Sequence, residues 1–155
     1  MYNFDTFLLI VNDKFNWSAY CTWTAIDACG NSGSCKHTFA VKDTTPPEIQ
    51  CNVPDAIIPP DVPISFTATA TDNCSSAVSA EILDFDCVAD NGKSRRKTCE
   101  IEIVRNTITI LHSGGVNENI RWMVSATDDC GNSRQSTCSV EVVDSGQSPK
   151  PTPIP

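Results

Sequence analysis

Histidine and positive charge are scarce in this chain, and each scarcity excludes something. Two histidines, His37 and His112, are too few for a histidine-rich metal site. No Cys-x-x-Cys occurs, and the gaps from Cys29 to Cys35 and from Cys130 to Cys138 do not fit a zinc ribbon. Eleven Lys and Arg against 19 Asp and Glu leave a net charge of −8, which argues against nucleic acid or an anionic membrane surface as partner. Long apolar runs are missing too. Phe7–Val11 is far short of the ~20 residues of a membrane span and lacks the basic start and small-residue cleavage site of an export signal. Either a signal has been removed or the chain is an internal piece of something longer. Catalytic signatures such as Gly-x-Ser-x-Gly and His-Glu-x-x-His are absent, and no enzyme activity is expected. His112-Ser113-Gly114-Gly115 has some likeness to an oxyanion loop, but it reads as a turn between two strands. The one basic cluster, Ser94-Arg95-Arg96-Lys97, reads as a solvated loop.

Cysteine, by contrast, is abundant. Nine in 155 residues, in a chain that is 40% apolar, indicate a folded disulfide protein from an oxidising compartment, extracellular or on the cell surface. Nine is odd, so at least one thiol lacks an intrachain partner.

The chain also repeats itself. A shift of 101 residues lays Thr6–Ser32 on Thr107–Ser133 without a gap, and Ala25-Ile-Asp27-Ala-Cys29-Gly-Asn-Ser32 falls on Ala126-Thr-Asp128-Asp-Cys130-Gly-Asn-Ser133. Cys35 and Cys138 differ by two positions, which leaves both on the same side of a strand. The repeat divides the chain into 1–43, the C-terminal part of a preceding copy; 44–144, a complete copy; and 145–155, a proline-rich tail or linker.

Alternating runs at 64–71, 97–104, 107–111, 120–127 and 137–143 are separated by Pro, Gly, Asn and Asp, and no window sustains helical periodicity. Short strands at this density predict an all-β, immunoglobulin-like antiparallel β-sandwich. Pro46-Pro47 cannot sit inside a ladder and mark a stiff joint between copies.

Trp23-Thr-Ala-Ile-Asp-Ala-Cys-Gly-Asn-Ser, Cys35, Phe39-Ala-Val-Lys-Asp-Thr-Thr-Pro-Pro-Glu-Ile-Gln-Cys51 and Ala70-Thr-Asp-Asn-Cys74 together resemble the hyalin-repeat (HYR) domain and related Ig-like surface repeats. The likeness covers residues 17–75 and 119–144 and is weak across 76–118. It implies a non-catalytic sandwich used in tandem in extracellular adhesive or matrix proteins. The six cysteines of the complete copy allow fifteen connectivities. The resemblance implies Cys51–Cys138 and Cys74–Cys130, which leaves Cys87 with Cys99 across a hairpin tipped by Asn91-Gly92. Cys21, Cys29 and Cys35 remain as unpaired or intermolecular candidates.

Asp27, Asp43, Asp72, Asp128, Asp129 and Asp144 cluster at strand ends and at the joint. Such oxygens could bind calcium, or simply cap turns. Asn16 and Asn73 lie in N-glycosylation sequons. The expected function is a structural or adhesive module that forms or extends a fibre by packing or strand complementation between copies. The alternatives are a glycan- or protein-binding module and a non-catalytic appendage of a secreted enzyme.

Overall fold

The computed structural model describes residues 2–11 (backbone course only), 17–59, 62–76, 78–89, 92–93 and 98–146. The described residues form twelve β-strands and no helix. The chain divides into two compact units, 1–45 and 46–155, each taken by itself below.

In the second unit the strands are β4 (Glu48–Gln50), β5 (Ala56–Ile57), β6 (Ile64–Thr67), β7 (Thr69–Thr71), β8 (Ser79–Ala89), β9 (Glu100–Val104), β10 (Thr107–His112), β11 (Glu118–Thr127) and β12 (Ser133–Val142). One layer runs β4–β7 and then, past a break at Ala68, β6–β10–β9; the other runs β5–β12–β11–β8. All pairings are antiparallel except β12 with β5. This strand order is that of an immunoglobulin-like sandwich. The alternating run 64–71 is thus two strands. At the break Ala68 N–H donates to the Asn106 carbonyl at 2.8 Å, and Asn106 Nδ2 donates back to the Ala68 carbonyl at 2.9 Å. That exchange lets a single stretch of chain serve both β10 and β4.

Period-two alternation sends one side of each strand inward. Ile108 and Ile110 on β10 meet Ile120, Trp122 and Val124 on β11 and Val140 and Val142 on β12, all 2% exposed or less. Trp122 stacks parallel on Phe66 across the layers, with ring centroids 6.4 Å apart. Cys51–Cys138 and Cys87–Cys99 are both disulfide-bonded. The second is not the closure of a hairpin. Gly92 N–H donates to the Ala89 carbonyl in a tight turn, but β8 pairs with β11 in one layer and β9 with β10 in the other. The bond therefore ties the layers together, as Cys51–Cys138 does.

The first unit is a three-stranded antiparallel sheet in the order β1 (Tyr2–Val11), β2 (Trp17–Ile26), β3 (Ser32–Val41). β2 and β3 repeat β11 and β12 residue for residue at the 101-residue shift: Cys21 opposes His37 as Trp122 opposes Cys138. Upstream of residue 17 the gap-free alignment fails. It lays residues 6–11 on β10, which belongs to the opposite layer from β11, whereas β1 pairs directly with β2. β1 instead occupies the place of β8 and reproduces its irregularity. Phe4 opposes Trp23 and Thr6 opposes Thr22 with Asp5 bulged, as Ile82 opposes Val124 and Asp84 opposes Met123 with Leu83 bulged. The first unit is thus the counterpart of the β8–β11–β12 sheet.

Candidate functional site

The repeated Asp-x-Cys-Gly-Asn segment is a hairpin loop held by its own aspartate. In the first unit Asp27 Oδ1 accepts from the N–H groups of Cys29 (2.8 Å) and Asn31 (2.9 Å), and Oδ2 accepts from Asn31 Nδ2 (2.8 Å). In the second, Asp128 Oδ1 accepts from Cys130 N–H (2.9 Å) and Asn132 N–H (2.8 Å), and Oδ2 from Asn132 Nδ2 (2.9 Å). Gly30 and Gly131 follow with φ of +87° and +84°, the left-handed position that a three-residue hairpin loop requires. Hydrogen bonds from Asn31, side chain first, hold the Asp27 carboxyl below its ordinary pKa. For Asp128 burial pushes upward, but the bonds from Asn132, Cys130 and Gly131 outweigh it and the net direction is also down. The motif is therefore a fold signal, since each residue has a local structural task.

Those tasks bear on the six aspartates. Asp72 accepts from Cys74 and Ser75 N–H, both at 2.8 Å, and Asp43 from Thr45 N–H at 3.0 Å. In the second unit Asp72, Asp128 and Asp129 lie at one end of the sandwich, where Asp129 N–H donates to Ser75 Oγ at 3.2 Å. Asp144 follows the far end of β12, a ten-residue strand of about 33 Å. Within the second unit Asp144 therefore stands apart from Asp72, Asp128 and Asp129.

Cys74 and Cys130 stand in these adjoining loops. Each is positioned by its own aspartate-capped turn. Asn73 is exposed, while the hydroxyl-bearing Ser75 of its sequon is buried. Asn16 and the Ser94–Lys97 cluster lie outside the described residues, as does the tail beyond residue 146. His112 Nδ1 accepts from Gly114 N–H at 3.1 Å, so the ring belongs to the turn. A feature that the sequence reading missed is Glu118, 5% exposed, whose Oε2 has no hydrogen-bond partner among the described residues. It sits on the inward side of β11 and gives no local signal of being unusual.

The first unit carries the more informative surface. The inward positions of β11 and β12 are closed over in the second unit: Val124, Val140 and Val142 are each 0% exposed. Their register equivalents Trp23, Phe39 and Val41 are 41%, 46% and 45% exposed. Cys35, opposite Trp23, and His37 are exposed as well; on the central strand Cys21, opposite His37, and Ala19, opposite Phe39, are buried. Trp23, His37 and Phe39 form an aromatic row, with centroids 6.2 Å and 4.4 Å apart. On the opposite face Lys36 Nζ lies 3.6 Å from the centre of the Tyr20 ring. Compared with known proteins, the chain matches no family model and no curated sequence.

Proposed function

We propose that the protein is a non-enzymatic structural or adhesive module of an extracellular or cell-surface repeat protein, and that copies of it pack together to form or extend a fibre. The observation that carries this reading is the contrast between two matching sheets. One is enclosed in a disulfide-tied sandwich. The other, in the same register and with the same bulge, leaves inward positions Trp23, Phe39 and Val41 exposed. A face built to be a sandwich interior is a contact surface wherever it is left open. Two disulfides suit an oxidising, extracellular setting, and the hyalin-repeat resemblance points to the same class of matrix and adhesion proteins.

Negative-stain electron microscopy of the oxidised chain, with sedimentation velocity over a concentration series, tests the reading. Ordered oligomers or fibres that grow with concentration are expected. A monodisperse monomer at every concentration would sink it.

A further inference from the structure

We infer that a second copy of the chain covers the open face of the first unit, two β1–β2–β3 sheets stacking inner face on inner face about a two-fold axis. This rests on the self-packing reading above and names its surface.

Three observations select this occupant. The first is geometric. The same sheet in the second unit already packs face to face against another sheet, so its twist and alternation suit a partner at the ~10 Å spacing of stacked sheets. The second is electrostatic. The inner positions of β2 and β3 are Trp17, Ala19, Cys21, Trp23 and Ala25, with Gly33, Cys35, His37, Phe39 and Val41 opposite. None is a carboxylate, lysine or arginine. Two copies of a chain of charge −8 can therefore meet here without opposing like charges, and an isologous contact needs a self-complementary patch of this kind. The third is area. Three ten-residue strands present about 34 Å by 14 Å, so two sheets bury on the order of 1,000 Å² together. That is the low end for a specific interface. It fits a reversible dimer whose population rises with concentration. The outer face, with Lys36 over Tyr20, is polar and is not the surface used.

Phe39→Asp places a carboxylate on each of the two stacked faces, inside a contact whose β2 and β3 positions carry no charge. The residue is 46% exposed, so the single sheet tolerates the change. Thr38→Asp adds the same charge on the other face of β3 and serves as the control. In sedimentation equilibrium the wild type and T38D are expected to dimerise alike, and F39D to dimerise at least about tenfold more weakly. A second measurement does not depend on a variant folding: alkylation of the wild type by iodoacetamide, read by peptide mass spectrometry. Cys35, on the face, is expected to react more slowly as protein concentration rises, while Cys29, in the hairpin loop, reacts at a constant rate. If F39D associates like wild type, or Cys35 gains no protection while dimers form, this surface is wrong and copies pack by another route, such as the β3 edge. If the wild type never associates, the self-packing reading fails with it.

Discussion

The two disulfides provide a quantitative test of how the second unit is held together. Cys51–Cys138 spans 87 residues and Cys87–Cys99 only 12. If a cross-link acts by restricting the unfolded chain, the loss on removing it grows with the logarithm of the loop. Loop-closure entropy gives about 4.6 kcal/mol for the long loop and about 2.8 kcal/mol for the short one at 25 °C. The bonds are well matched otherwise. Each joins the two layers, and each has one fully enclosed end, Cys138 at 1% and Cys87 at 0% exposure. Replacing either pair by alanine therefore leaves similar small voids, and these cancel in the comparison. C51A/C138A is expected to be less stable than C87A/C99A by about 1.8 kcal/mol. With about 2.1 cal/mol/K per residue over about 100 residues, that is roughly 9 °C in melting temperature. Urea unfolding followed by tryptophan fluorescence in a Trp17→Phe/Trp23→Phe background, which leaves Trp122 as the reporter, measures it at about pH 5, where thiol exchange is slow. Equal losses, or a larger loss for C87A/C99A, would refute the loop argument. Native-state strain or residual structure in the unfolded chain would then govern the cross-links.

Other consequences follow from single residues. Trp122→Ala empties the centre of the core and should cost about 3–5 kcal/mol. Trp122→Phe should cost much less, because it also removes an Nε1–H that is buried without a partner among the described residues, a group worth about 1–3 kcal/mol in lost solvation; the two variants are compared by urea denaturation. Gly114→Ala should lose about 1–2 kcal/mol, since its φ is +86° and a methyl group would stand 2.6 Å from Glu118 Oε2; an unchanged melting temperature would count against the turn geometry. Asp27 and Asp128 have folded-state pKa values below the ordinary carboxylate value of 3.8. The unfolded chain takes up their protons first, so their contribution is complete above that value and is lost as pH falls through the depressed folded values. Asp128→Asn should accordingly lower the neutral-pH melting temperature and flatten its fall below about pH 4; an unaltered acid profile would remove Asp128 from the account.

The hairpin loops were legible in the sequence because every residue there answers a local demand. Asp27 and Asp128 close on backbone N–H groups two and four residues ahead, and Gly30 and Gly131 supply a positive φ. No distant partner is needed, so eight residues suffice to identify the loop wherever it occurs. The placement of β1 was not legible in the same way. An uninterrupted apolar run such as Phe7–Val11 fits many neighbours, and its layer and register are set by the strand it meets. Its likeness to β10 therefore carried little information, while its actual position was written in β2, the counterpart of β11, which pairs with β8. The same reasoning explains Cys87–Cys99. The turn at Ala89–Gly92 is local and was readable; the assignment of β8 and β9 to different layers depends on β11 and β10. It also explains why the exposed inner face matters. Trp23, Phe39 and Val41 stand at the repeat positions of Val124, Val140 and Val142, which are enclosed. Among the described residues of the first unit, no second layer lies over them. The contact between copies proposed above would cover these positions.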